Sequence, residues 1–192
     1  MDCWAYISDP ILERALCGLD PGVASHCERV ARHAVQLGAL LGFDGHDLGV
    51  LGMAGRIHDI GKLHVPAAIV QKSGRLTARE WSLMQQHSET GSRIILAQRD
   101  IPFREEVALL VRHHHEHWDG DGYPDGLRGD TIPISARILS VVDSYDALTS
   151  DRPYHRPRTH AEAMAILLPE RGTKHDPDLL DLFVQRVIGA VD

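Results

Sequence analysis

The sequence predicts an all-α fold, and three observations carry the prediction. Helix-start signals recur along the 192 residues, apolar positions follow three- and four-residue spacing, and period-2 alternation never extends beyond a few residues. Asp9-Pro10 and Asp20-Pro21 each set an N-cap before a proline at the first helical position. The second launches a helix carrying Val23, Cys27, Val30, Ala34, Leu37 and Leu41 on one stripe, and Gly42 ends it. Asp44 starts a helix toward His58, Gly61 and Pro66 interrupt the chain beyond it, and Lys72-Ser73-Gly74 is a turn. Thr77 to Glu80 matches a capping box, with apolar Trp81, Met84 and Ile94 to Leu96 beyond it; Ser88 and Gly91 predict an interruption near His87. A helix from about Phe103 through Val107, Leu110 and Val111 runs into three consecutive histidines. From Trp118 to Pro133, Gly, Asp and Pro are too dense for regular structure, and a loop of that length inside a compact domain tends to be functional. Pro133 opens an apolar helix, Ala136 to Thr149; Thr159 to Glu162 is a second capping box, and Asp176-Pro177 caps the last helix.

With 43% hydrophobic content, the length suits one well-filled core rather than two. The sequence contains no run of about 18 apolar residues and no basic stretch before an apolar one near Met1. Neither a membrane span nor a signal peptide is therefore expected, and the cytoplasm is the expected location. Cys3, Cys17 and Cys27 are odd in number and form no C-x-x-C, which argues against a disulfide framework or a thiolate metal site. Any metal must be held by nitrogen and oxygen. The net charge of −7 opposes binding to a nucleic-acid polymer, whose backbone is recognised by clustered Lys and Arg. A small anionic ligand is compatible with that charge, because bound divalent ions can dominate the local field.

The most telling stretch is His58-Asp59-Ile60-Gly61-Lys62, in a chain with thirteen histidines. Imidazole and carboxylate suit first-row divalent ions, and an ammonium one helical turn later can reach a phosphate that such ions hold. His26 falls within the second helix, His87 in the Trp81 helix, and His113, His114 and His115 at the end of the Phe103 helix. Asp143 comes directly after the apolar run Ile138-Leu139-Ser140-Val141-Val142, where a buried carboxylate needs a partner.

His26-Cys27-Glu28-Arg29-Val30, His58 to Lys62, Met84-Gln85-Gln86-His87 with Gly91, His114 to Pro124 and Asp143 to Thr149 occur in one order. Together they resemble the HD-GYP subgroup of HD-domain metal-dependent phosphohydrolases, from Asp20 to the C-terminus. The resemblance implies an HD-domain helical bundle over residues 20–192 with a long Gly/Asp-rich Gly-Tyr-Pro loop, preceded by a helical extension over residues 1–19. Only about twenty residues precede the match, so a stand-alone enzyme or one controlled by another chain is expected. Trp4, Ile7, Ile11 and Leu12 of the extension are expected to pack on the domain, with homodimer formation as the alternative.

The family hydrolyses cyclic dinucleotides, typically cyclic di-GMP, at two or three metal ions. The resemblance assigns His26, His58, Asp59 and Asp143 to one metal and His87, His114 and His115 to the second, with Asp59 bridging. Two ions roughly 3.5 to 4 Å apart can share a hydroxide and aim it at phosphorus. On this reading Asp59 and Lys62 are the catalytic pair, and Lys62 stabilises negative charge in the transition state. Successive helical residues point about 100° apart, so three adjacent histidines cannot all face one site. The family pattern selects His114 and His115 and leaves His113 out. Glu116 is expected to orient a ligand imidazole. His33, His46, His64, His117, His160 and His175 match no ligand position and are expected to be structural or at the surface.

The resemblance assigns substrate contacts to Lys62, Asp119, Gly122, Tyr123, Arg152 and His155. Gly120 and Gly122 would let backbone approach the ligand, Tyr123 would offer a ring or a hydroxyl, and Trp118 is expected in the core. His155 stands where Lys or Arg is common, so this second phosphate clamp would weaken at alkaline pH. Gly22 stands where three-metal members carry Glu, which favours two divalent ions, Fe or Mn leading, and linear pGpG as the main product with GMP formed slowly. The alternatives are a catalytically silent cyclic-dinucleotide receptor that signals through a regulatory partner on the Gly-Tyr-Pro loop, a hydrolase of cyclic GMP-AMP, and two-iron oxygenase chemistry. The Gly-Tyr-Pro loop and Arg152 favour a phosphate ligand over the oxygenase.

Overall fold

The computed structural model describes residues 21–150 and 157–189. The expected extension over residues 1–19, the Asp9 and Asp20 caps, Arg152 and His155 lie outside the described residues. Among the described residues the architecture is helical, without a strand: α1 (Pro21–Leu40), α2 (Gly45–Ile57), a 3-10 turn (Ile60–His64), α3 (Ala67–Val70), α4 (Ala78–Ala97), α5 (Arg104–His113), α6 (Ile134–Thr149), α7 (His160–Leu167) and α8 (Pro177–Phe183). No helix among them is long and apolar enough to cross a membrane.

Local chemistry sets the helix ends. Asp44 caps α2 by accepting from the Asp47 N–H at 2.9 Å, and Thr77 and Thr159 each form a complete capping box. Asp176 accepts from the N–H groups of Asp178 and Leu179 ahead of Pro177. Gly42 ends α1 with the Phe43 N–H returning to the Gly38 carbonyl at 3.1 Å, a Schellman closure.

α1 lies along α2, α4 lies along α5, and α6 packs against α1, α2 and α5. Val30, Leu37, Leu51, Ile57, Val111 and Ile138 meet in the shared core, which α8 closes with Leu180 and Phe183. The loop from Trp118 to Pro133 contains only a 3-10 turn at Gly129–Thr131.

The expected interruption near His87 does not occur, since α4 is continuous from Ala78 to Ala97. Ser88 and Gly91 are buried in that helix because the 3-10 turn lies against it. A Cβ on Gly61 would overlap the His87 carbonyl oxygen and lie 2.6 Å from the Gly91 nitrogen, and one on Gly91 would lie 3.0 Å from Val111 Cγ1. These glycines serve backbone contact between segments rather than a break in the helix.

Candidate metal centre

His26 comes from α1, His58 from the end of α2, His87 from α4, His114 and His115 from the end of α5, and Asp143 from α6. Asp59 follows His58 at φ −94° and ψ 4°, outside regular helix. Leaving the helix at this point lets adjacent side chains share one site that helical neighbours could not. The same holds at His114 and His115, which lie beyond the last residue of α5.

These side chains converge. Ligand-capable atoms of His26, His58 and Asp59 lie within 4.8 Å of one another, and so do those of His87, His114 and His115. Asp59 joins the two groups, with one oxygen 3.5 Å from His58 Nε2 and the other 3.6 Å from His87 Nε2. Asp143 Oδ1 lies 3.1 Å from His26 Nε2 and 3.7 Å from His58 Nε2. Asp59 and Asp143, 84 positions apart in the chain, therefore reach the same His58 imidazole.

The hydrogen bonds fix which nitrogen each ring presents. His58, His87 and His114 donate from Nδ1 to the carbonyls of Gly55, Met84 and Val111 at 2.8, 2.7 and 2.7 Å. His26 donates from Nδ1 to Asp146 at 2.7 Å. The opposite nitrogens, Nε2 of His26, His58, His87 and His114, are buried without a hydrogen-bond partner. A buried polar atom left unpaired is costly, and these four, three of them within 3.7 Å of Asp59 or Asp143 and the fourth grouped with His87 and His115, fit a cation that is bound through them.

Electrostatics point the same way. Burial opposes ionisation of Asp59, but Lys62, His58 and His87 hold its carboxyl well below the usual range. Burial likewise opposes ionisation of Asp143, which His26 and His58 keep well below that range. Burial pushes the imidazoles of His87, His114 and His115 down, His114 to about 3, so their lone pairs stay open to a cation. His26 and His58 also suffer burial, yet the carboxylates of Asp143 and Asp146, and of Asp59, raise their pKa values.

Lys62 is not a solvent-facing lysine: its Nζ lies 2.6 Å from Asp59 Oδ2 with the side chain 20% exposed. His113 is directed elsewhere, with Nδ1 3.5 Å from Glu116 and 3.6 Å from Asp125. The expected role of Glu116 is corrected. Its two oxygens accept from the N–H groups of Asp125 and Leu127 at 2.8 and 3.1 Å, so it pins the Gly-Tyr-Pro loop instead of orienting a ligand imidazole.

The loop lies over the histidines. Tyr123 is tilted 32° against the His115 ring at 4.9 Å, and its N–H donates to the His115 carbonyl. A Cβ on Gly122 would overlap the His117 nitrogen and lie 2.5 Å from Glu116 Cα, so this glycine answers the chain's own backbone. Asp119 accepts from the Asp121 N–H at 3.1 Å and is partly exposed. Trp118 is partly buried, with the Arg137 guanidinium 5.3 Å from its ring centre.

Sequence reasoning passed over three residues here, of which Asp146 and Arg29 form a pair. Asp146, which accepts from His26, is gripped by Arg29 through Nε at 2.7 Å and Nη2 at 3.0 Å and by the Ser150 hydroxyl at 2.7 Å. Its carboxyl, opposed by burial, is held at about 2 by His26, Arg29 and Ser150. Such a carboxylate behind an imidazole fixes ring and tautomer at a metal site. The spacing His26-x-x-Arg29 was the available signal, since it puts both residues on one face of α1. The third is Trp81, assigned to an apolar position but 47% exposed, with its ring 6.1 Å from Tyr123.

Comparisons with known proteins agree with this geometry. Residues 10–179 match the family model described as HD domain. The chain is 36% identical over 174 residues to the cyclic di-GMP phosphodiesterase response regulator RpfG of Xanthomonas campestris pv. campestris, covering 91% of this chain and 46% of that protein. It is 37% identical to 3'3'-cGAMP-specific phosphodiesterase 2 of Vibrio cholerae, covering 84% of this chain and 31% of that protein. The chain thus spans less than half the length of both curated relatives. The fold matches that of Bd1817, an HDG"Y"P protein from Bdellovibrio bacteriovorus, with a TM-score of 0.71 at 22% identity over 86% of this chain and 52% of that one. A helical bundle that gathers histidines and aspartates on separate helices, with the matching family model across most of its length, establishes that this chain belongs to the HD-domain family.

Proposed function

We propose that this chain hydrolyses a cyclic dinucleotide at a centre of two divalent ions, iron or manganese, with cyclic di-GMP opened to linear pGpG and GMP formed slowly. The observation that carries the reading is the set of four buried Nε2 atoms without partners, those of His26, His58 and His87 beside Asp59 or Asp143 and that of His114 grouped with His87. His26, His58, Asp59 and Asp143 would hold one ion and His87, His114 and His115 the other, with Asp59 shared. Bound divalent ions supply Lewis acidity toward phosphate oxygens and lower the pKa of water.

The protein's own groups do the rest. The backbone carbonyls of Gly55, Met84 and Val111 and the Asp146 carboxylate keep each imidazole turned inward. Lys62 places a cation beside Asp59, where negative charge grows as the phosphodiester is attacked. Tyr123 forms a wall over His115, and the exposed Trp81 beside it offers a face on which a base can stack. Asp119, Gly122, Arg152 and His155 complete the proposed substrate contacts. The relative specific for 3'3'-cGAMP supports a second reading in which the mixed cyclic dinucleotide is the substrate.

The test is to load the full chain with iron or manganese without oxygen, add cyclic di-GMP or 3′,3′-cGAMP, and follow products by chromatography. The expected result is accumulation of the linear dinucleotide and a loss of about a hundredfold in rate for Lys62→Ala. Tight binding of either nucleotide without turnover would replace the enzyme with a receptor.

A further inference from the structure

A cavity of about 600 Å³ opens between α1, the end of α6 and the turn at 184–188, and no expected metal ligand lines it. Its walls differ in character. α1 contributes Arg29, Arg32, His33 and Gln36, whose spacing puts them on one stripe of the helix. The opposite side brings the Tyr145 ring with Val187 and Ile188. The Asp146 carboxylate also lines the cavity and is paired with Arg29, so on a chain of net charge −7 the two guanidiniums leave the lining a surplus positive charge, that of Arg32.

Their charges are only partly spent. Arg29 uses Nε and Nη2 on Asp146 and Ser150, leaving Nη1 without a hydrogen-bond partner among the described residues. Arg32 is exposed and has neither a hydrogen bond nor an ion pair among the described residues. His33 Nδ1 is buried without a partner. Burial and the adjacent Arg32 hold the His33 imidazole below its ordinary pKa, so the ring can donate or accept without adding charge.

Planar guanidiniums recognise phosphate through paired N–H groups, and a phosphate dianion gains more from two of them than a monoanion does. The cavity is large enough for a nucleotide, and its apolar side suits the organic part of one. We infer that this cavity is a second ligand site for a small phosphorylated molecule of nucleotide size. The phosphate lies against Arg29 and Arg32 and the organic part against Tyr145 and Ile188. Arg29 also grips Asp146, the carboxylate behind His26, so the ligand is one residue removed from the metal centre.

The test uses the full chain stripped of metal, which makes it independent of the proposed catalysis. Calorimetric titration with AMP and with inorganic phosphate is expected to give saturable binding at one site, tighter for AMP. Arg32→Glu and Gln36→Glu are expected to weaken both ligands by at least about tenfold, while Lys62→Ala at the metal centre leaves them unchanged. Absence of binding by the wild type at millimolar ligand overturns the proposal. So does binding that survives Arg32→Glu or disappears in Lys62→Ala. AMP binding no tighter than phosphate overturns the nucleotide-sized assignment.

Discussion

Asp146 fixes the direction of the His26 ring through a 2.7 Å hydrogen bond between groups 120 positions apart in the chain. Replacing it by Asn keeps the shape and removes the charge that holds the Nδ1 proton. Asp146→Asn is expected to fold and to bind Mn²⁺ about 10- to 100-fold more weakly, as measured by titrating the metal-free protein. Unchanged affinity would reduce Asp146 to packing. His113 and His114 differ in direction, so His114→Ala should strip metal while His113→Ala retains it; equal losses in metal analysis would contradict that division. The pH dependence arises from His26 and His58, whose pKa values are raised in the metal-free site. A cation there must displace protons, so binding should tighten as pH rises from about 6 to 8 and release protons. Calorimetry in two buffers of different ionisation enthalpy measures that release, and identical heats in both would refute it. The principal histidines and aspartates are legible in the sequence because adjacency and motif order mark them. Asp146 and Arg29 are not, because only the packing of α1 on α6 brings them together.

Between elements, the decisive contact is the backbone approach of the 3-10 turn to α4. It sets His87 beside Asp59, at 3.6 Å. Gly61→Ala places a methyl group into the His87 carbonyl, which neither backbone can yield without moving a ligand. The expected cost is about 3 kcal/mol of stability, with loss of metal binding, read from denaturant unfolding and metal content. A variant with wild-type stability and full metal would show that the turn is free to shift. Helix starts at Asp44, Thr77, Thr159 and Asp176 are readable because a cap acts within three residues of itself. Ser88 and Gly91 mislead because their cause lies in another segment's backbone, which no local window contains. The role of Glu116 is hidden for a related reason, since it depends on where the loop returns.

At the scale of the molecule, the bundle brings imidazoles and carboxylates from distant segments to one buried place and closes it with the Gly-Tyr-Pro loop. That loop is tied down at both ends, through Glu116 on one side and through Trp118 and Asp119 donating to Lys174 and Thr173 on the other. These bonds hold the loop over the histidines, and none of the proposed metal ligands comes from it. The net charge of −7 is compatible with an anionic substrate at the centre because cations held there would dominate the local field. The most direct measurement is metal per chain in protein purified without oxygen, for the wild type and for Asp59→Ala. Two divalent ions in the wild type, and the loss of both when the shared carboxylate is removed, are expected. A wild type with no bound metal, or an Asp59→Ala variant that keeps both ions, would contradict the account.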